Sequence, residues 1–370
     1  MTQVETRSGD QDSAPTAGAP RTPGGTVRKL ILALAMALAA VGLCEAMLRA
    51  LDYSYSPLHI NASANRNDQR DHHVFEDRHF CADPELIWRP RNNYRPFNAQ
   101  GFRGMLLPRT KGPEEYRIFA LGDSNTLGWD DPEDEPGAVD DSKTLGRDAR
   151  HDKPAVVGAN WPRFLGQLLP AGKRKYTVVN AGVWGYTSFQ GRGRFQQLLP
   201  FRPDMVLISF GGNDAHRVAV SDLEYMRMRP MPLLLRTRLG QLFWAARDGL
   251  TVDRPAWDDK SLVFRVSPEQ YRDNLNAMLD VAAEHHFQCA LLTRPYRGVS
   301  SDPGQWITHA PTYAAITREV GRARQVLVID VYAMFKDRRE YFADESHFTE
   351  SGHRLVAQRI YEQLQSLLPH

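Results

Sequence analysis

Four short blocks carry side chains whose types fit acyl transfer through a serine. They are Gly122-Asp123-Ser124-Asn125, Asn180-Ala-Gly-Val-Trp-Gly185-Tyr-Thr, Gly211-Gly212-Asn213-Asp214 and Asp344-Glu-Ser-His347. A serine hydroxyl is a weak nucleophile until a neighbouring base takes its proton. His347 is the candidate base. Asp344, three residues earlier, is placed to hold the imidazole through its other nitrogen and to stabilise the imidazolium. Attack on an ester creates an oxyanion, for which the Ser124 N–H, the Gly185 N–H and the Asn213 side-chain amide are the candidate donors. One such donor is typically worth about 3 kcal/mol. Glycine at 185 lets backbone approach a substrate closely.

Each block also has a plainer reading. Ser124 or Asp123 can simply cap a helix, Gly185 can make a turn, and Asn213 can cap the next segment. Gly182 is a second choice for the glycine of the second block. His353 is a rival base, with Glu350 three residues before it. It reads as an exposed residue of the last helix, whereas His347 lies in the loop before that helix. His285 and His286 end a helix and read as partners of its dipole. With Asp344 beside His347, Asp123 reads as a residue that fixes its turn through backbone hydrogen bonds.

The elements that position these blocks are legible as apolar runs. Strand-like runs cover Arg117–Leu121, Thr177–Val179, Met205–Phe210, Ala290–Thr293 and Val326–Ile329. Helical spacing covers Trp161–Leu169, and Ser267–His285 opens with a capping box and a proline at the first helical position. Short, uniformly apolar strands alternating with helices predict a parallel sheet covered on both faces. The first three blocks each follow a strand, so they converge on the carboxyl edge of that sheet, where open α/β sheets bind ligands.

These blocks resemble those of the SGNH (GDSL-type) hydrolase superfamily, whose signature residues are Ser, Gly, Asn and His. The resemblance maps them to Ser124, Gly185, Asn213 and His347, with Asp344 completing the triad. It covers about Tyr116 to Leu368, and Asn98–Arg103 looks like the segment preceding the first block in membrane-anchored bacterial members. It implies a flavodoxin-like three-layer α/β/α sandwich with a parallel five-stranded sheet and an intact catalytic apparatus. A long acidic insertion after the first block departs from the pattern and puts the shape of the substrate pocket in doubt.

The remainder of the chain bounds the setting. Among 370 residues, 42% are hydrophobic and 24% charged, ordinary for a protein with a sizeable core. A net charge of +2 gives no indication of a nucleic-acid partner. None of the three cysteines, Cys44, Cys81 and Cys289, forms a CxxC pair, so no metal site is expected. Cys81 and Cys289 either pair in an oxidising compartment or remain free, with Cys289 buried in a strand. Residues 1–29 read as a disordered cytoplasmic tail, and 30–51 as a transmembrane signal anchor, with basic residues ahead of it setting the orientation. A signal peptide cleaved near Ala37-Leu38-Ala39 is the alternative. Residues 52–110 form a connector packed on the domain, and 111–370 the hydrolase domain, with insertions at about 130–158 and 215–264. The acidic run Asp130–Asp141 reads as a solvated loop or lid, and Asp68–His73 as hydrophilic surface. The second insertion either lines an acyl pocket or packs as a subdomain on the rim.

The expectation is therefore a single-pass inner-membrane enzyme facing the periplasm or cell exterior. It would hydrolyse carboxylic esters, such as O-acetyl groups on envelope or secreted glycans or lipid esters, with no cofactor. An O-acyltransferase acting on a glycan hydroxyl shares the same acyl-enzyme, and water access to that intermediate divides the two. A non-catalytic glycan-binding protein on the same fold is a third reading, since fold alone does not settle function.

Overall fold

The computed structural model describes residues 23–55, 80–92, 96–128, 159–229, 232–251, 262–298 and 306–369. Asp68–His73 and Asp130–Asp141 lie outside the described residues. The chain divides into two compact units, Met1–Asp52 and Tyr53–His370.

Among the described residues of the first unit, helix α1 runs Pro23–Ala50. It starts inside the stretch read as a tail, because a proline is tolerated in a first turn and a nucleated helix propagates through Thr26–Lys29. The part from Thr26 to Ala50 is long and apolar enough to cross a membrane. Glu45, which interrupts the apolar run, is paired with Arg49 one turn on, at 2.7 Å.

Among the described residues of the second unit the first elements form a hairpin, β1 (Phe80–Asp83) and β2 (Ile87–Pro90). Then follow β3 (Glu115–Gly122), α2 (Ser124–Leu127), α3 (Trp161–Leu168), β4 (Lys175–Asn180), α4 (Ser188–Gln196) and β5 (Met205–Ser209). The second insertion holds β6 (Arg217–Val218), α5 (Asp222–Met228), α6 (Pro232–Leu235), α7 (Arg238–Thr251) and β7 (Val263–Phe264). The chain closes with α8 (Pro268–Glu284), β8 (Gln288–Leu292), α9 (Ala310–Arg324), β9 (Leu327–Ile329), α10 (Val331–Met334) and α11 (Glu350–Leu364).

Five strands form one parallel sheet in the order β4-β3-β5-β8-β9, the flavodoxin-like arrangement. Side chains alternate between two cores, as the two-residue period of a strand requires. Ile118, Ala120, Met205 and Leu207 face a layer containing Trp161, Leu165, Val356 and Ile360. Phe119, Leu121, Val206 and Ile208 face a layer containing Phe195, Tyr271, Leu275 and Tyr313. Burial on both faces is why these strands read as unbroken apolar runs.

The capping box at Ser267 forms, with Ser267 Oγ accepting from the Gln270 N–H and Gln270 Oε1 accepting from the Ser267 N–H. Cys81 and Cys289 are free thiols, and burial pushes the Cys289 thiol up to about 12. In the insertion, Tyr225, Met226, Leu235 and Trp244 join the main core, so its inward side packs as a subdomain.

Candidate active site

The first block is a strand-to-helix turn whose tightness depends on a glycine. β3 ends at Gly122, where an added Cβ would run into Thr126 and the Ser209 carbonyl. Asp123 caps α2, its Oδ1 accepting from the Asn125 N–H at 2.9 Å, so Ser124 opens the helix. The carbonyls at the far end of this short helix have no helical partner of their own. Arg103 supplies them, donating through Nη1 to Leu127 O and Gly128 O, both at 3.1 Å. Asn180 Nδ2 donates to Thr126 O and Leu127 O. The Asn98–Arg103 segment thus holds the serine turn, a role that the connector's composition did not disclose.

Ser124 Oγ lies 2.8 Å from His347 Nε2, and His347 Nδ1 lies 2.6 Å from Asp344 Oδ2. Asp344 Oδ1 accepts from the backbone N–H groups of Ser346 and His347, each at 2.7 Å. Burial pushes the Asp344 carboxyl up, but His347 and these N–H groups outweigh it and hold the group well below the usual carboxylate range. An ionised Asp344 needs a donor, which assigns the proton to Nδ1 and leaves Nε2 to accept from the Ser124 hydroxyl.

The loop carrying His347 is fastened directly to the serine turn. Asn125 Nδ2 donates to Ser346 O, and Asn125 Oδ1 accepts from the Phe348 N–H at 3.2 Å. Arg294 donates from Nη1 to Ser346 O at 3.2 Å and from Nε to Asp123 Oδ2 at 2.8 Å. Both members of the Arg294–Asp123 pair are buried. Asp123 therefore fixes the turn through the backbone, as its position suggested, and also anchors a cation. Sequence reasoning missed Asn125 and Arg294. The available signal was an arginine just past the end of an apolar strand, β8.

The two glycines of the second block sit in different backbone settings. Gly182 N–H already donates to Asn180 Oδ1 at 3.0 Å, and a Cβ at 182 would strike the backbone of Leu127. Gly182 packs against the serine helix. Gly185 adopts φ +71°, a left-handed conformation that favours glycine. Its carbonyl accepts from Arg265 Nη1 at 2.9 Å, and Arg265 is itself paired with buried Asp222 at 3.0 Å. Asn213 Nδ2 donates to Tyr186 O at 2.9 Å, joining the third block to the second. Gly212 lies against the first block, since a Cβ there would come 3.2 Å from Asp123 Oδ2. Asp214 ties the third block together by accepting from Ser188 N–H, the Ser188 hydroxyl and Gly211 N–H. Burial pushes its carboxyl up to about 6.

His353, the rival base, is not exposed as its helical position suggested. It shares the inward face of α11 with Val356, Ala357 and Ile360, the i, i+3, i+4, i+7 spacing of a buried stripe. Among the described residues neither ring nitrogen has a hydrogen-bond partner, and the ring stands edge-on to Phe348. Burial lowers its pKa to about 3, aided by nearby cations. A histidine in the unfolded chain titrates at about 6.5. The unfolded chain therefore binds more protons between that pH and about 3, and stability falls as pH drops through the window. His353→Leu is expected to make this acid limb shallower when unfolding free energy is measured by urea titration at successive pH values.

Among the described residues no group of His, Cys, Asp and Glu is arranged to hold a metal ion.

A parallel α/β sheet with a hydrogen-bonded serine, histidine and aspartate at the carboxyl ends of its strands has the form of a serine-dependent hydrolase. The chain belongs to the GDSL-like lipase/acylhydrolase family, whose model matches residues 120–355. Membership makes it an ester-bond hydrolase. Among solved structures it is similar to a lipase/acylhydrolase from Enterococcus faecalis, at 21% identity, covering 69% of this chain and 97% of that one with a TM-score of 0.43. It is also similar to an α/β hydrolase from the metagenome of Lake Arreo, Spain, at 18% identity, with 70% and 99% covered and a TM-score of 0.43. A variant of an acetyl xylan esterase from Geobacillus stearothermophilus is 17% identical, with 70% and 97% covered and a TM-score of 0.43. No curated protein matches the chain.

Proposed function

We propose that the protein is a membrane-anchored serine esterase that removes O-acyl groups, acetyl foremost, from glycans or lipids at the bacterial envelope. The supporting observation is the continuous hydrogen-bonded series Ser124 Oγ, His347 and Asp344. Ser124 Oγ attacks the acyl carbon while its proton passes to His347 Nε2. The ester C–O bond then breaks, and His347 returns the proton to the departing alcohol. Water, deprotonated by His347, attacks the acyl-Ser124 carbonyl; the acyl–Oγ bond breaks, His347 returns the proton to Ser124 Oγ, and the acid leaves. The Ser124 N–H, the Gly185 N–H and Asn213 Nδ2 donate to the oxyanion in both halves.

α1 anchors the chain in the inner membrane, with Arg28 and Lys29 on the cytoplasmic side and the hydrolase domain facing the periplasm or cell exterior. Substrates are then esters of exported or membrane-resident molecules.

The reading is tested by supplying p-nitrophenyl acetate to the purified protein with and without a glycan acceptor. Free acetate is the expected product in both cases. Acetylated glycan accumulating faster than free acetate would identify an O-acyltransferase instead. Asn213→Ala is expected to lower kcat by about 10²–10³-fold, the usual cost of one oxyanion donor. Steady-state assays should show KM changed far less.

A further inference from the structure

Helix α7 turns an apolar face outward. From Arg238 to Leu250 its exposed residues are Leu242, Phe243, Ala246, Gly249 and Leu250, all apolar. Phe243 is 77% exposed and Leu250 87%. Its inward side sets Trp244 in the core and carries the polar groups Gln241 and Asp248. Gln241 Oε1 accepts from the Tyr55 N–H at 3.2 Å, and Asp248 Oδ2 accepts from the Tyr55 hydroxyl at 2.6 Å and from the Tyr225 hydroxyl. The short helix α6 before it exposes Leu233 and Leu234, and Arg227 and Arg236 are exposed in the same insertion. Contiguous apolar surface of this kind marks an interaction site.

The occupant follows from what the inward side holds. Tyr55 is five residues beyond Ala50, the last residue of the apolar helix α1. An extended chain covers at most about 3.6 Å per residue, so the chain between them reaches no farther than ~18 Å. The residue clamped to α7 is thus among the first to leave the span. We propose that the outward face of α6 and α7 rests on the bilayer that holds α1, with Phe243 and Leu250 entering the acyl boundary and the arginines meeting anionic headgroups. Interfacial helices bury an apolar face in this manner and gain from anionic lipid. The proposal rests on reading α1 as an uncleaved anchor.

The test uses the full chain carrying Cys44→Ser and reconstituted into phosphatidylcholine vesicles with a minority of phosphatidylglycerol. An environment-sensitive NBD label is placed through Leu250→Cys, and through Phe243→Cys in a second preparation. Gln358→Cys, exposed on α11, serves as the reference site. Lipids with a nitroxide high on the acyl chain are expected to quench the labels at 250 and 243 severalfold more than the label at 358. Protein that floats with the vesicles and hydrolyses ester, yet shows equal quenching at all three sites, overturns the docking and leaves the anchor standing. A blue-shifted label that lipid nitroxides do not quench, and that reverts when protein is diluted into more lipid, overturns it in favour of a second copy on this face. Protein that does not float removes the anchor and the docking together.

Discussion

Ser124→Ala is expected to lower kcat/KM for an acetyl ester by about 10⁴-fold or more while leaving the fold intact. Removing the nucleophile of a serine triad leaves only what binding and oxyanion donors contribute. The structure says why folding should survive. The turn is capped by Asp123, not by Ser124, and its carbonyls are held by Arg103 and Asn180. Ser124 makes one side-chain hydrogen bond, to His347, and a single such bond is worth about 1 kcal/mol. Steady-state kinetics and urea unfolding of the same preparation separate the two effects. A variant retaining more than a tenth of the parent activity would remove Ser124 from the mechanism.

The second large effect is expected at Arg294. Replacing it with methionine leaves the Asp123 carboxylate buried without its cation, and breaking a buried pair costs about 3–5 kcal/mol. It also removes one of the donors to the Ser346 carbonyl, so the loop presenting His347 loses a tie to the serine turn and keeps those through Asn125 and Ser124. Activity is therefore expected to fall even at temperatures where the variant remains folded. Arg294→Lys should restore only part, because a point charge cannot donate in two fixed directions as the guanidinium does. Asp123→Asn combined with Arg294→Met removes both charges, and its urea midpoint should recover toward the parent while its activity remains low. If activity recovered with stability, Arg294 would have no part in presenting His347.

The candidate site residues were legible because each sits where local sequence announces an element's end. Gly122 and Asp123 close an apolar run, Asn213 follows one, and Asp344 precedes His347 at a spacing that lets one carboxylate reach both the ring and the backbone. The alternating cores explain why the five strands could be found by apolarity alone. What holds these residues together was not legible, since the partners are far apart in sequence. Arg294 meets Asp123 across 171 positions, Asn125 meets Phe348 across 223, and Arg103 reaches the serine turn from a segment that showed no chemistry of its own. His353 was misplaced for a different reason. Leu355 sits off the buried stripe of α11, and only the i, i+3, i+4, i+7 series through Ile360 reveals that the histidine faces inward. The starting point of α1 was blurred because Thr26–Lys29 has no apolar pattern, and helix there is inherited from the turns that follow.

The central claim is that Ser124 is a nucleophile activated by His347. A serine-directed fluorophosphonate, followed by peptide mass spectrometry, tests it most directly. One covalent adduct is predicted, on the peptide containing Ser124, absent in Ser124→Ala and much slower to form in His347→Ala. An adduct on a different serine, or none on folded protein that unfolds cooperatively in urea, would contradict it.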